Sequence, residues 1–174
     1  GASRRLGQER EPLAVANALS EYLFDEVGFR GNREDYYDPR NCFLNEVLRR
    51  RLGIPITLSL VYMEVGKRLG MLFEGVGMPG HFLVRIKSGL EDLFIDPFHR
   101  GILLSGEECA HRLQEVAGTA VPWDRSYLAP VSNRELIARI LRNLIAIYVR
   151  KTDQHRALKA NEWLLTLQPQ PPLG

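Results

Sequence analysis

The sequence has few cysteines, no long hydrophobic run and almost no excess of charge. Its 174 residues include two cysteines, Cys42 and Cys109, too few for a disulfide framework, so we expect free thiols and a reducing, cytoplasmic setting. Charged Glu64, Lys67 and Arg68 interrupt the longest apolar stretch, which predicts no membrane-spanning helix and no membrane partner. Lys and Arg total 23 against 21 acidic residues. This balance gives no reason to expect nucleic acid as a partner.

Metal-binding motifs are missing as well. There is neither a CxxC nor an HxxxH pair among the residues, so no metal site or other cofactor is expected. The chain starts without Met and shows no signal peptide, and we expect it to be a fragment of a longer protein. With 45% apolar residues, it is predicted to form one domain, or one domain with a small addition.

Helical periodicity dominates the first seventy residues. Apolar spacing predicts a helix over 11–26 and a second helix that ends at Gly53. A third helix, 55–69, is apolar round most of its circumference, which is typical of a buried helix. Pro55 suits its first turn and Gly70 closes it. The sequence therefore predicts a central helix enclosed by other elements.

Two short strands follow this helix. "HFLVRI" (81–86) and "LFIDPF" (93–98) are separated by six residues that include one glycine, which predicts an antiparallel hairpin. If the turn centres on residues 88–89, Arg85 lies opposite Asp92 and His81 opposite Asp96. Directly opposed side chains share one face, with Cβ atoms about 4.5–5.5 Å apart. We therefore predict a hydrogen bond between His81 and Asp96.

The rest of the chain is predicted to be helical. Ser105 with Glu108 has the spacing of a capping box, and Ser132 or Asn133 is placed to cap a long amphipathic helix. A short turn then leads into "HRALKANEWLLTL", and two antiparallel helices of this size predict a helical hairpin. We divide the chain into a core, 9–128, and this hairpin, 132–169.

His81 and Asp96 are the candidate catalytic pair. A carboxylate that holds an imidazole fixes its tautomer and stabilises the imidazolium, as in nucleophile–His–Asp triads. The other histidines, His99, His111 and His155, lie in polar or turn contexts and are expected to be ordinary surface residues.

Three residues are candidates for the nucleophile. Thr57 and Ser59 lie near the start of the 55–69 helix, at its positive dipole end, although a buried Ser more often bonds a main-chain carbonyl. Cys42 is a weaker candidate on another helix, where it is more typical of a small buried apolar residue.

The stretch "YYDPRNCFLNEVLRRRLGIPITLSLVYMEVGKRLG", followed by "GVGMPGHFLVR" and "IDPF", resembles the transglutaminase-like superfamily. Within it, the sequence is similar to the bacterial SirB-type group, whose members end in a tetratricopeptide-like segment. The resemblance covers about Tyr22 to Pro169. It implies an α+β fold with a papain-like core, in which a buried central helix packs on a small antiparallel sheet, and then a hairpin like one tetratricopeptide unit.

The resemblance also assigns roles to residues. The superfamily has a Cys–His–Asp triad, with His81 in the place of its His and Asp96 in the place of its Asp. The family's Cys starts the buried helix two residues after a glycine, so Gly53 matches the glycine and Pro55 occupies the Cys position. Because proline carries no nucleophile, the expected protein is a catalytically altered or inactive relative that binds a protein or peptide partner.

The alternative is an acyl hydrolase or transferase in which His81 and Asp96 act with Ser59, Thr57 or Cys42. In either case the pocket is expected at the start of the buried helix. Its predicted walls are Pro55 and the rings and amide of the preceding loop, Tyr36, Tyr37 and Asn41.

Overall fold

The computed structural model describes residues 11–88, 91–118 and 120–167. A four-stranded antiparallel sheet contains β3 (Glu74–Val76), β4 (Leu83–Ser88), β5 (Glu91–Asp96) and β6 (Ile102–Leu104), in that spatial order. The helices are α1 (Pro12–Ser20), α2 (Leu44–Arg50), α3 (Pro55–Arg68), α4 (Gly106–Ala117), α5 (Asn133–Arg150) and α6 (Gln154–Leu167). A short parallel pairing joins β1 (Arg30–Gly31) to β2 (Leu52–Gly53). The α+β class predicted from the sequence is confirmed.

Helix α3 is the buried central helix. Pro55 occupies its first turn, where the missing N–H removes no helical hydrogen bond. Gly70 follows its C-terminal end with a φ of +80°, a conformation that favours glycine. Its apolar side chains, together with those of α1, cover the face of the sheet that carries Val84 and Ile95. Leu113 and Cys109 of α4 cover the opposite face.

The two C-terminal helices pack together and against the core. The apolar cluster between α5 and α6 continues into Ile54 and Ile56 at the start of α3, and into Phe82 just before β4. The predicted division into 9–128 and 132–169 stays a prediction, and residues 9–10 and 168–169 lie outside the described part of the chain. No helix within the described ranges is long and apolar enough to cross a bilayer.

Several element boundaries differ from the predictions. The predicted helix 11–26 changes after Ser20 into a π-helical turn, Glu21–Glu26. Gly53 does not end α2, because the helix stops at Arg50 and Arg51 takes the left-handed position with a φ of 57°. The outer strands β3 and β6 were not predicted, since three residues each are too few to show an alternating pattern.

The hairpin register differs by two residues from the prediction. Arg85 pairs with Phe94 and not with Asp92. The connection is therefore residues 89–90, which lie outside the described residues, whereas the predicted turn centred on residues 88–89. A shift of two residues keeps each side chain on its predicted face, because side chains alternate with a period of two. Arg85 consequently still reaches Asp92 as a diagonal neighbour, with Nη1 3.1 Å from Oδ2.

Tyr62 provides a test of the central position of α3. Its side chain is fully buried, and its hydroxyl donates to the main-chain oxygen of Ala16 at 2.7 Å. Tyr62→Ala should lower the free energy of unfolding by about 3–5 kcal/mol, because it leaves a cavity in the core. Tyr62→Phe keeps the ring and should cost only about 0.5–2 kcal/mol. Urea denaturation measures both values, and equal costs for the two variants would contradict a packed ring.

Candidate functional site

Asp96 is the fully buried centre of a hydrogen-bonded cluster at the end of β5. Its Oδ2 lies 2.8 Å from Nε2 of His81 and 2.8 Å from Nδ1 of His99. Its Oδ1 accepts the main-chain N–H groups of Phe98 and His99 at 3.1 and 3.2 Å, which caps the 3₁₀ turn Pro97–His99. An ionised carboxylate only accepts hydrogen bonds, so both histidine nitrogens donate to it.

The surroundings keep Asp96 ionised. Burial by itself would raise the pKa of Asp96, but the hydrogen bonds from His81 and His99 outweigh burial and hold the pKa well below its ordinary value of 3.8. Nε of Arg112, on α4, lies 3.5 Å from Oδ2 and adds a positive group. Because Nε2 of His81 is committed to Asp96, Nδ1 is the ring nitrogen left for other chemistry.

His81 reaches Asp96 from outside the paired strand. The residue follows a turn in which its own N–H donates to the main-chain oxygen of Met78 at 3.2 Å, with Gly80 at a φ of +72°. The predicted contact between His81 and Asp96 is confirmed, although the two residues are not a directly opposed pair. The side chain of His81 bridges the two-residue offset on the shared face of the sheet.

The free side of His81 opens on a cavity of about 230 Å³ at the start of α3. Its wall includes Tyr36, Pro55, Ile56, His81, Arg139 and Asn143. Within the described ranges Nδ1 of His81 has no hydrogen-bond partner. His81 lines the cavity, and Nδ1 is the ring nitrogen that Asp96 does not engage.

A larger groove of about 1070 Å³ lies beside β4, β5 and α4. Its wall includes Trp123, His111 and Phe94, and none of the residues of the His81 cluster. The smaller cavity is therefore the candidate functional site, because His81 lines it.

Arg139 is a site residue that the sequence did not predict. It lies on α5, and its Nη2 donates to the main-chain oxygens of Met78 at 2.5 Å and His81 at 2.7 Å. Its guanidinium also lies over the ring of Phe82, 5.6 Å from the centroid. The helical hairpin thereby completes the wall of the cavity. An arginine on a helix carries no local signal of such a contact, because the partner residues are distant in sequence.

The candidate hydroxyl nucleophiles bond to the main chain. Oγ1 of Thr57 donates to the main-chain oxygen of Asn41 at 2.8 Å and accepts from the N–H of Ile54 at 3.1 Å, which caps α3. Oγ of Ser59 is buried and lies 3.5 Å from the main-chain oxygen of Phe82. Neither hydroxyl forms a hydrogen bond with His81 in the part of the chain described.

The cysteines are buried and protonated. Burial, together with the negative charge of Asp38, raises the pKa of Cys42 to about 12, and the thiol packs in the cluster that contains Ile54 and Ile56. Burial also raises the pKa of Cys109 to about 12, with Asp96 contributing. Neither thiol has the exposed, electropositive surroundings that lower the pKa of a reactive cysteine.

Of the predicted pocket residues, Pro55 and Tyr36 line the cavity and the other two do not. Tyr37 instead lies beneath the guanidinium of Arg150, whose Cζ is 4.5 Å from the centroid of the Tyr37 ring. Asn41 is fully buried, and its amide donates to the main-chain oxygens of Asp35 and Tyr36 at 2.8 and 3.1 Å. Asn41 therefore holds the loop that presents Tyr36.

The expectation that His99 is an ordinary surface residue is wrong. Its ring donates to Asp96 and is about three-quarters buried, with 24% of the side chain exposed. Its position three residues after Asp96, on a 3₁₀ turn started by Pro97, is the sequence signal that could have indicated this contact. His111 and His155 are exposed, as predicted.

The same three side chains offer a set of metal ligands. One ligand atom each from His81, Asp96 and His99 lies within 4.8 Å of the others, and two imidazoles with a carboxylate suit a transition metal. The guanidinium of Arg112 beside Asp96 opposes a further cation, because like charges repel strongly at a buried position. With Arg139 on the other side of His81, the charge of this site favours an anion.

Comparison with known proteins identifies the family. The profile of the transglutaminase-like superfamily matches residues 1–142, and the chain belongs to this superfamily. The more specific likeness to the SirB-type group with a tetratricopeptide-like segment stays a prediction. No solved structure matches the chain.

Similar curated proteins come from bacteria and from animals. A UPF0162 protein of Xylella fastidiosa (strain 9a5c) is 43% identical over 164 residues, covering 92% of this chain and 58% of the relative. A UPF0162 protein of Vibrio cholerae is 31% identical over 172 residues, covering 98% of this chain and 63% of the relative. F-box only protein 21 of Homo sapiens is 32% identical over 145 residues, covering 79% of this chain and 22% of the relative. The chain thus spans less than two thirds of the length of these relatives.

Asp96 is expected to make stability depend on pH. Its folded pKa lies below the ordinary 3.8, so its stabilising contribution is present above pH 3.8 and is lost as the pH falls through the lowered value. Asp96→Asn should lower the free energy of unfolding at pH 7 by about 3–5 kcal/mol. The difference from the unmodified protein should shrink in acid. Urea titrations over pH 2–7 measure this difference in unfolding free energy, and Asp124→Asn, at an exposed helix cap, is the control. A difference that stays constant over this pH range would contradict the prediction.

The thiols are expected to be inert in the folded protein. With pKa values raised from 9.0 to about 12, the thiolate fraction at pH 8 falls by roughly a thousandfold. Iodoacetamide should therefore alkylate Cys42 and Cys109 about a thousand times more slowly in buffer than in urea. Mass spectrometry of quenched samples follows each cysteine, and Cys42→Ser isolates Cys109. Rapid alkylation of folded Cys42 would restore it as a candidate nucleophile.

Proposed function

We propose that this chain is a transglutaminase-like domain that binds a protein or peptide segment in the cavity beside His81 and performs no thiol chemistry. The observation that carries the proposal is Pro55 in the wall of that cavity, at the first position of α3. The family places its nucleophile there, and proline has none. His81 and Asp96 retain their mutual geometry, so the cavity keeps a polar, oriented wall.

The polar groups in the wall of the cavity suit the binding of a peptide. The start of α3 leaves main-chain N–H groups without helical partners and carries a partial positive charge, and Ile56 brings this helix end into the wall. Tyr36, Arg139 and Asn143 add hydrogen-bonding groups from two other elements. These side chains stand on packed helices and a capped loop, so little conformational entropy is lost when a ligand orders them.

The helical hairpin supports a second contact with a partner. Leu158, Trp163 and Leu165 of α6 are exposed, and exposed apolar side chains on a helix pair suit the binding surface of a tetratricopeptide-like unit. We assign this role to a hairpin unit, 132–169, appended to a core, 9–128. The partner would then contact both the cavity and the hairpin.

The alternative is an acyl hydrolase or transferase with a relocated nucleophile. It is favoured by the His81–Asp96 pair, because His81 lines the cavity and Asp96 engages only its Nε2. Against it, Ser59, Thr57 and Cys42 make no hydrogen bond with His81 within the described residues. Incubation with fluorophosphonate and iodoacetamide probes separates the two proposals, because only the alternative predicts covalent labelling at one of these three residues in the folded protein.

Binding is expected to depend on His81. Peptides selected from a display library against the folded chain should shift the amide resonances of Ile56 and Gly80, which line the cavity. His81→Gln should weaken their binding by about tenfold, the cost of one lost hydrogen bond. His111→Gln, at an exposed histidine in the other groove, is the matched control.

Two further measurements keep this test decisive. Circular dichroism establishes whether His81→Gln folds. If His81→Gln does not fold, Tyr36→Ala takes its place, because this substitution removes part of the cavity wall and leaves the contacts of Asp96 unchanged. If both folded variants bind the selected peptides as well as the unmodified protein, the cavity is not the binding site.

A further inference from the structure

Arg139 is a half-buried cation that has no carboxylate partner among the described residues. Four arginines in the described ranges are neither exposed nor fully buried: Arg50, Arg85, Arg112 and Arg139. The first three each have a carboxylate within 3.5 Å (Asp38, Glu74 and Asp96, respectively). Among the described residues, Arg139 instead contacts main-chain oxygens and the face of a ring. Those contacts fix its position, and none of them supplies a negative charge.

The missing counter-ion has an energetic consequence. Burial lowers the pKa of Arg139, which means that its surroundings disfavour the positive charge as they stand. The hydrogen bonds of the guanidinium to described residues are made by Nη2. Nε and Nη1 make none within the described ranges, and Arg139 lines the cavity. An anion entering the cavity would recover the electrostatic free energy that burial has cost.

The neighbours of Arg139 are hydrogen-bond donors. Asn143 follows one turn later on the same face of α5 and lines the same cavity. Burial of its hydroxyl end raises the pKa of Tyr36, so this phenol stays protonated and can donate. No Asp or Glu is present among the described residues of the wall. The cavity thus presents a fixed guanidinium, an amide and a phenol with no opposing negative charge.

We propose that the cavity binds a carboxylate group of a peptide, with Arg139 as its charged partner and Asn143 and Tyr36 as additional donors. This inference rests on the proposed function and names the chemical group that the cavity recognises. A planar guanidinium matches a carboxylate with two parallel hydrogen bonds. The volume of about 230 Å³ lies below the roughly 300–1,000 Å³ of pockets for whole small molecules. It suits the end group of a longer chain.

Two sources supply such a group: the C-terminus of a peptide, and an Asp or Glu side chain. His81 favours the C-terminus. In the tautomer that carries its proton on Nε2 and donates to Asp96, Nδ1 of His81 is a hydrogen-bond acceptor on a residue that lines the cavity. A C-terminal residue carries a main-chain N–H one carbon away from its carboxylate, so one residue can satisfy both Arg139 and His81.

Three small probes distinguish these sources when titrated into the ¹⁵N-labelled chain. N-acetylglycine carries a C-terminal carboxylate, N-acetylglycinamide is its uncharged match, and the α-methylamide of N-acetylglutamate carries only a side-chain carboxylate. N-acetylglycine should shift the amides of Ile56 and Gly80 saturably and bind about tenfold or more tightly than the amide. The affinity of the glutamate probe should lie between the affinities of the other two probes. If it binds most tightly, the source is a side chain.

Variants then assign the contact. Arg139→Gln should weaken the binding of N-acetylglycine by about tenfold to a hundredfold, which is the range for a charged hydrogen-bonded pair. Asn143→Asp places a negative charge in the wall without changing its size and should have a similar effect. It also remains informative if Arg139→Gln fails to fold. Arg142→Gln, at the exposed neighbour on α5, removes the same charge outside the cavity and should change affinity less than about twofold.

The outcomes separate this inference from the proposed function. Equal binding of the acid and the amide at the cavity, unaffected by Asn143→Asp, would overturn the carboxylate assignment and leave peptide binding intact. If no probe and no selected peptide shifts the cavity resonances, both proposals fail.

Discussion

The buried, ionised carboxylate of Asp96 is the interaction on which the site depends. One oxygen accepts from His81 and His99, the other accepts two main-chain N–H groups, and Arg112 lies beside it. A buried charge is tolerated only when paired and hydrogen-bonded, so these groups must come together when the chain folds. They originate on the turn before β4, the 3₁₀ turn after β5, and α4. A single charge therefore fixes the mutual positions of three segments around the end of the sheet.

The second constraint comes from the hairpin. Arg139 of α5 donates to the main-chain oxygens of Met78 and His81, at the turn that presents His81. The apolar cluster of α5 and α6 also includes Ile54 and Ile56 beside the first turn of α3. The start of the buried helix, the histidine and the hairpin thus form one packed region. The proposed partner contact on α6 would act on a helix that packs against α5, which supplies Arg139 to the cavity.

Much of this architecture could be predicted because it depends on local pattern. The buried helix follows from apolar residues round its circumference, and the contact of His81 with Asp96 follows from the alternation of side chains on two strands. The register was wrong by two residues, an error that leaves the face of each side chain unchanged. His99 and Arg139 were missed because their roles arise from tertiary contacts. The sequence around an Arg on a helix is the same whether its side chain faces solvent or a distant main-chain turn. The sequence around a His on a turn is likewise the same whether its ring faces solvent or a buried carboxylate.

Proline at the first position of α3 is accommodated at little structural cost. The first N–H of a helix has no partner in any case, and the fixed φ of proline suits this position. The helix, its dipole and the His81–Asp96 pair are therefore compatible with a proline in the wall of the cavity. In the function that we propose, Pro55 stands where the family has its nucleophile, and the cavity keeps a histidine and an arginine without an attacking thiol. These two groups support the proposal that the cavity holds a negatively charged group.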